Sequence, residues 1–212
     1  MNNTAMYRLS YGLFVLAVRE GENDNGCIIN TAMQVTVEPN RIAISVNKDN
    51  HTHDMMKRTS AFTISILNEE ADFSLFKRFG FQSGRDVNKF ESYTNCKRSS
   101  NGTMIVTAGT NAFISANVIS STDLGTHTLF IADVTDADIL NDVPSATYAY
   151  YQQNIKPKPK TPDTANEGKI IWRCTVCGYE YVGEELPKDF ICPICKHPAS
   201  DFERIVVGQA AK

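Results

Sequence analysis

The sequence Cys174-Thr175-Val176-Cys177 is followed, after fourteen intervening residues, by Cys192-Pro193-Ile194-Cys195. Each Cys-x-x-Cys pair bends the backbone into a knuckle, so that four thiolates can converge on one tetrahedral ion. Soft thiolate ligands select zinc or iron over magnesium or calcium. Two disulfides or four unrelated core cysteines are the alternatives. The pattern predicts one metal site with these ligands: Cys174, Cys177, Cys192 and Cys195.

The segment around these cysteines is too small to fold on a hydrophobic core alone, so a bound metal must help to hold it together. Gly178 supplies a residue that accepts a positive φ behind the first knuckle. Aromatic side chains supply additional bulk to this small module: Trp172, Tyr179, Tyr181, Phe190 and Phe202.

Residues 167–208 resemble a rubredoxin, because the stretches 172–179, 186–190, 192–195 and 201–203 follow the order of that family. The resemblance implies one iron on four cysteines, cycling between Fe(III) and Fe(II). The insert between the pairs is shorter than in free-standing rubredoxins, as in the rubredoxin-like ends of rubrerythrins. Lys196 stands where a second knuckle glycine is usual, so that knuckle is expected to use a strained or altered turn. A zinc ribbon is the alternative.

Composition favours a cytoplasmic protein with one further domain. Without a module of about 45 residues and the linker before it, about 150 of the 212 residues remain, which is one ordinary domain with a full core. The net charge of −3 gives no electrostatic case for nucleic acid. No apolar run approaches a membrane span, and the first eight residues lack a secretory pattern. Metal-binding thiolates indicate a reducing compartment. Cys27 and Cys96 are expected to be buried or partly buried thiols.

Residues 154–166 are predicted to be a linker between domains at 1–153 and 167–208. Prolines interleaved with lysines favour an extended polyproline II conformation over a packed element. At about 3.1 Å per residue, the wider stretch 154–168 could span roughly 40 Å. An ordered strap on the surface of one domain is the alternative. The interleaved residues are Lys156, Pro157, Lys158, Pro159, Lys160 and Pro162.

The first domain is predicted to be mainly β, as an antiparallel barrel. Apolar residues of strand length or with period two occur at 11–18, 41–46, 61–67, 112–119 and 127–134. The segments 52–59 and 71–79 are predicted to be helical. Strands outnumber helices without a regular βαβ rhythm, and no Gly-x-Gly-x-x-Gly follows the first strand, which argues against a Rossmann fold.

Four stretches of this domain, at 26–46, 47–53, 79–90 and 123–134, resemble the FMN-binding split-barrel family of flavin reductases and flavoredoxins. The resemblance is taken to cover residues 5 to about 151. The resemblance implies an antiparallel split β-barrel that binds FMN, with FAD in some members. It also implies a homodimer with the flavins near the subunit interface.

The residues expected to bind FMN fall in two of these stretches. The phosphate of FMN requires cations and hydrogen-bond donors, and the flavin ring and ribityl chain require polar and backbone groups. The alternative for 48–53 is a solvated loop that caps the next helix, with Thr52 or Asn50 as N-cap. The phosphate-side residues are Asn47, Lys48, His51, Thr52 and His53. The ring and ribityl residues are Asn30, Thr31, Ala32, Gln34, Val35 and Thr36.

Three further candidates come from the same resemblance. In the family, the histidine matching His127 lies near the flavin and the nicotinamide, so His127 is the catalytic candidate. The lysine matching Lys89 lies near the flavin ring. Tyr150 or Tyr151 would cover a face of the ring, unless residues 146–151 form a closing strand.

The two halves together predict electron transfer from NAD(P)H to FMN, then to the iron and on to an external acceptor. A hydride carries two electrons and one iron accepts one, so a flavin is needed between them. The protein has to place the nicotinamide against the flavin. The arrangement resembles the high-molecular-weight rubredoxins of anaerobes, which implies flavodiiron-type oxygen or nitric oxide reductases or rubrerythrins as acceptors.

Two other functions remain open. One is a flavin reductase that releases reduced flavin, with a zinc ribbon for partner docking. The other is a non-enzymatic flavin-binding module. Because no dinucleotide fingerprint is present, the sequence does not distinguish NADH from NADPH.

Overall fold

The mainly β architecture is confirmed by the computed structural model, which describes Ala5 and residues 8–157, 169–175, 178–193 and 197–206. The chain divides into two units, Met1–Ile155 and Lys156–Lys212. Most of the predicted linker, residues 158–166, lies outside the described residues. In the described part, no helix is long and apolar enough to cross a membrane.

Seven strands of the first unit form one antiparallel sheet with the order β2-β1-β5-β8-β9-β4-β3. A separate hairpin pairs β6 with β7. The elements are β1 (Phe14–Glu20), β2 (Asn23–Ile29), β3 (Ala32–Thr36), β4 (Arg41–Asn47), α1 (His51–Thr59), β5 (Ala61–Leu67), α2 (Phe73–Gly80), β6 (Cys96–Arg98), β7 (Met104–Val106), β8 (Thr110–Asp123), β9 (His127–Ile139) and α3 (Tyr148–Tyr150).

The sheet curls into a barrel that is split between β2 and β3. These strands lie at opposite edges of the sheet, yet only Asn30 and Thr31 separate them along the chain. The two edges must therefore approach each other. Strands from both halves, together with α1, bury apolar side chains in one interior cluster. Its fully buried members include Leu16, Ile44, Met55, Met56, Phe62, Ile64 and Phe130.

Strand β1 is buried on both faces, which explains its continuous apolar run. Successive side chains of a strand point to opposite faces. Leu16 and Val18 belong to the barrel interior, whereas Val15 and Ala17 pack in a second cluster that includes α2. Asp72 is the N-cap of helix α2, and its carboxylate accepts a hydrogen bond from the Ser74 backbone N–H at 2.8 Å.

The closing strand considered for residues 146–151 is wrong. Thr147 caps a short helix, α3, because its hydroxyl accepts a hydrogen bond from the Tyr150 N–H at 3.0 Å. A π-helical turn at Tyr151–Ile155 follows.

The second unit contains a three-stranded antiparallel sheet with the order β11-β10-β12. Its strands are β10 (Ile170–Cys174), β11 (Glu180–Val182) and β12 (Phe202–Val206). The Phe190 ring lies centrally, with its centroid 6.4 Å from Tyr179, 5.0 Å from Tyr181 and 5.4 Å from Phe202. Tyr179, Tyr181 and Phe202, three of the predicted aromatic residues, therefore pack around Phe190.

Candidate functional site

The described metal-site cysteines are Cys174, at the end of a strand of the small sheet, and Cys192, which follows an isolated β-bridge between Ile191 and Pro198. Cys174 is the last residue of β10, and its carbonyl accepts a hydrogen bond from the Gly178 N–H at 2.9 Å. Gly178 has φ +77°, which is the conformation expected of a knuckle glycine. The Cys192 N–H donates to the His197 carbonyl at 2.8 Å. Each of the two cysteines is therefore joined by a main-chain hydrogen bond to a residue just beyond its Cys-x-x-Cys segment.

The two cysteines fit a tetrathiolate metal site by burial and by chemistry. Their side chains are only 1% and 0% exposed, in a module with little apolar core. Cys177 and Cys195, with Lys196, lie outside the described residues. Among the described residues alone, no three or more His, Cys, Asp or Glu side chains come together in a group that would hold a metal. Thiolate donors suit iron and zinc equally, so the donor set does not choose between them.

In the first unit, the split in the barrel brings polar candidates to the surface. Asn30 and Thr31 are half-buried at the split, where the Thr31 carbonyl accepts from the Ser45 N–H at 3.1 Å. From Met33 onward, β3 is exposed on both faces. An open groove of about 320 Å³ lies beside this strand. Its lining includes Ala32, Gln34 and Asn40 at the strand side and the apolar Ile42, Ile64 and Ile114.

The loop after β4 is held against the turn between β8 and β9. The Lys48 N–H donates to the Thr126 carbonyl at 3.0 Å. The Lys48 ammonium donates to both carboxylate oxygens of Asp123 at 2.6 Å. This hydrogen bond is the main reason why the pKa of Asp123 lies below its usual value. Asn47 closes the loop, since its side-chain oxygen accepts from the Asp49 N–H at 3.0 Å.

His127 lies beside this loop. It is the register partner of Asn47 across β4 and β9, and its side chain is partly exposed. Its Nδ1 is 2.9 Å from the Thr126 hydroxyl. The structure thus brings Asn47, Lys48 and His127 into one surface cluster. Asn30 and Thr31 lie at the same end of β4, whereas Gln34, Val35 and Thr36 lie toward its other end.

Thr52 and His53 point into the protein rather than toward this surface. Thr52 is 1% exposed, and its hydroxyl accepts from Asn25 Nδ2 at 3.2 Å. His53 is 5% exposed, with both ring nitrogens bonded within the domain. Asn50 is the N-cap of α1 but makes no side-chain cap bond. His51 is partly exposed and lines a separate polar pocket of about 230 Å³.

Lys89 and Tyr151 do not join the surface cluster either. Lys89 is 4% exposed, and its ammonium donates to the carbonyls of Gly26 at 2.8 Å and Phe79 at 3.2 Å. Burial lowers the pKa of Lys89. Tyr151 is 7% exposed in the cluster under α2, with its ring 4.3 Å from that of Phe76. Both side chains are occupied inside the fold.

Arg85 is a residue that the sequence prediction left out of the site. Its guanidinium donates to the Asp49 carbonyl and to the Asp54 carboxylate, each at 2.7 Å. It therefore holds the loop that carries Lys48. Its place in the quoted stretch 79–90 was the only sequence signal for it.

The remaining two cysteines behave as expected. Cys27 and Cys96 carry free thiols, of which the first is buried and the second partly buried. Burial raises the pKa of Cys27 to about 11.

Comparison with known proteins agrees with the division of the chain into two units. Residues 6–158 match the family described as flavin reductase like domain, and residues 172–203 match the rubrerythrin, rubredoxin-like domain. A high molecular weight rubredoxin of Moorella thermoacetica is 36% identical, over 97% of this chain and 100% of that protein. A ferric-chelate reductase (NAD(P)H) of Archaeoglobus fulgidus is 38% identical, over 78% of this chain and 96% of that one.

A solved structure shares the fold. The FMN-binding protein from Thermus thermophilus superposes with a TM-score of 0.58 at 18% identity, covering 97% of this chain and 92% of that chain. The chain therefore belongs to the flavin reductase-like family, together with the high molecular weight rubredoxin that it resembles, and it is an oxidoreductase that joins a flavin reductase-like domain to a rubredoxin-like domain.

Proposed function

We propose that this protein carries electrons from NAD(P)H, by way of FMN, to an iron held by Cys174, Cys177, Cys192 and Cys195, and on to a redox protein. The observation that carries the proposal is the joining of a flavin reductase-like domain and a paired-cysteine ribbon in one chain. The relative from Archaeoglobus fulgidus is named for NAD(P)H, and the fold neighbour from Thermus thermophilus for FMN.

The surface cluster fits the phosphate end of FMN. Lys48 supplies a cation at the start of α1, and helix N-termini favour anions. The N-cap, Asn50, makes no side-chain cap bond that would compete for the first N–H groups. Asn30 and Thr31 add polar groups at the same end of β4. These residues would hold the phosphate and the ribityl chain.

The ring of FMN has to lie within reach of the nicotinamide, and His127 lies at the Lys48 end of β4. Asn30 and Thr31, at that same end, would therefore hold the edge of the ring as well as the ribityl chain. The groove of about 320 Å³ beside β3, with Gln34 and Asn40 in its lining, lies toward the other end of β4 and would take no part in holding the ring.

When bound, FMN would supply the chemistry that takes two electrons from a hydride donor and passes them on one at a time, as an iron tetrathiolate requires. The task left to His127 is to orient the nicotinamide, since its imidazole is fixed by Thr126 at the edge of the cluster. The task of the buried cysteines is to hold the iron away from bulk water.

A homodimer and a cytoplasmic location complete the proposal. Met33, Val35 and Val37 are 59%, 43% and 76% exposed along β3 and the following turn. An apolar surface of this kind favours a partner, and a second copy would cover it. Thiolate ligands favour a reducing compartment. A flavodiiron-type oxygen or nitric oxide reductase, or a rubrerythrin, is the proposed acceptor.

Anaerobic titration with NAD(P)H tests the proposal, after flavin and metal contents have been measured. Protein with one FMN and one iron should take up about 1.5 equivalents of NAD(P)H, because the flavin accepts two electrons and the iron one. Cys192→Ser protein with FMN and no iron should take up about one equivalent. Uptake of one equivalent by the iron-loaded protein, with release of reduced flavin, would instead support the flavin reductase with a docking ribbon.

The acceptor is tested separately. A purified flavodiiron protein or rubrerythrin should be reduced by the NAD(P)H-treated protein and not by its Cys192→Ser variant. Equal reduction by both would mean that the iron is not on the path.

A further inference from the structure

A chain of hydrogen bonds runs from Arg85 at the surface into the barrel. The Arg85 guanidinium donates to Asp54 Oδ2 at 2.7 Å. The other carboxylate oxygen, Oδ1, lies 3.1 Å from His53 Nδ1. His53 Nε2 then lies 2.9 Å from the Thr128 hydroxyl. The chain therefore ends on β9, one residue after His127.

Chemistry fixes the direction of the bonds at Asp54. A guanidinium only donates and a carboxylate only accepts, so His53 Nδ1 carries a proton and donates to Asp54. Nε2 of the same ring is bonded to the Thr128 hydroxyl. His53 and Thr128 are 5% and 3% exposed, and the Phe130 ring lies edge-on to His53 at 5.8 Å. Water has little access to the bond between His53 and Thr128, and a satisfied buried hydrogen bond specifies one arrangement.

The same hydrogen-bonded chain contacts both segments that carry the surface cluster, the loop with Lys48 and the start of β9 with His127. Arg85 also donates to the Asp49 carbonyl at 2.7 Å, one residue after Lys48. Thr128 follows His127 directly. At the surface, the Lys48 N–H donates to the Thr126 carbonyl at 3.0 Å and so joins the same two segments directly. A shift of the Arg85 end would therefore reach the start of β9 through the interior of the domain as well as across its surface.

We propose that Arg85 and His53 are positioning residues, and that the chain Arg85–Asp54–His53–Thr128 fixes Lys48 and His127 relative to each other. None of the four touches the reacting atoms in this account; they act through the two residues of the cluster. The inference rests on the function proposed above, because that function assigns FMN phosphate to Lys48 and the nicotinamide to His127.

Thr128 provides a matched pair of variants. Thr128→Val keeps the shape and removes the hydroxyl, whereas Thr128→Ser keeps the hydroxyl. The first measurement is the ¹⁵N-coupled NMR spectrum of the His127 imidazole in flavin-free protein, assigned with His127→Gln. Thr128→Val should shift these resonances, and Thr128→Ser should leave them close to wild type. Unchanged resonances in Thr128→Val would overturn the proposal, whatever its melting temperature.

The second measurement is kcat/KM for NAD(P)H in flavin-loaded protein. Thr128→Val should lower it about tenfold, the effect of one lost hydrogen bond of about 1.4 kcal/mol. Thr128→Ser should restore it to within about twofold. A variant that only melts earlier, with kcat/KM unchanged, would show that the chain is merely structural.

Arg85→Met carries the same test if Thr128→Val fails to fold, because Arg85 is partly exposed at the surface. It removes no group that contacts His127, so a shift of the His127 resonances would require transmission from Arg85, either through Asp54, His53 and Thr128 or through the Asp49 bond to the Lys48 loop. Arg85→Lys, which can keep one of the two bonds, should shift them less. Should the protein neither bind flavin nor oxidise NAD(P)H, the proposed function fails, while the flavin-free spectra still decide whether the chain positions His127.

Discussion

Replacing Lys48 by alanine is expected to weaken FMN binding about ten- to a hundredfold. Lys48 is partly exposed at 35% and already bonded to Asp123, so its ammonium is held at the start of α1. A charge-assisted hydrogen bond to phosphate contributes about 1.5–3 kcal/mol, and about 1.4 kcal/mol corresponds to a tenfold change in affinity. The melting temperature should hardly change, since an exposed ion pair contributes little to stability.

The assay is a titration of flavin-free protein with FMN and, separately, with riboflavin, followed by flavin fluorescence. Lys48→Ala should bind riboflavin as wild type does, because riboflavin lacks the phosphate. Asp123→Asn is the matched control: it leaves Lys48 in place and removes a competing carboxylate, so FMN should bind equally well or more tightly. An FMN affinity within about twofold of wild type in Lys48→Ala would refute the reasoning. Arg85 or Arg41 would then be the next phosphate candidate.

Three other predictions concern single residues. Burial raises the pKa of the Cys27 thiol from 9.0 to about 11, so the stability that the protonated thiol contributes is complete below pH 9 and is lost as pH rises toward 11. Urea unfolding should show that the free energy of unfolding falls by about 2–3 kcal/mol over this range, and the fall should be absent in Cys27→Val. Cys177→Ser or Cys195→Ser should lower metal content without loss of FMN binding, and loss of both would contradict two separate units. Gly84→Ala should lower the melting temperature, because its Cβ would lie 2.2 Å from the buried Asn25 side chain; an added Asn25→Ala should recover part of the loss.

Strands with a strong alternating or continuous apolar pattern were predictable from sequence. Strands that form because they pair with a neighbouring strand were not. The alternation of Phe62, Ile64 and Ile66 locates β5 at Ala61–Leu67, as observed. Strand β2 begins with polar residues, and it is a strand because it pairs with β1 along its whole length. Strand β3 is exposed on both faces from Met33 onward, so burial imposes no pattern on it.

The residues of the candidate site were likewise predictable only in part. Sequence resemblance selected Lys48 and His127, but their proximity depends on the register of β4 against β9, which pairs residues far apart in the chain. Thr52 and His53 were expected at the phosphate. They are buried because α1 turns this face toward the barrel, where Asn25 and Thr128 satisfy them. No local pattern in the loop distinguishes the two faces before the helix is packed.

The order of reduction under anaerobic conditions is the sharpest test of electron transfer from flavin to iron within one chain. Protein loaded with FMN and iron is mixed rapidly with NAD(P)H, and the yellow and red absorbances are followed separately. The flavin absorbance should fall first and the iron absorbance second, within one turnover and at a rate independent of protein concentration. Shortening residues 156–164 should slow only the second phase. An iron that stays oxidised, or that is reduced equally fast in a dilute mixture of the two separate domains, would contradict electron transfer within one chain.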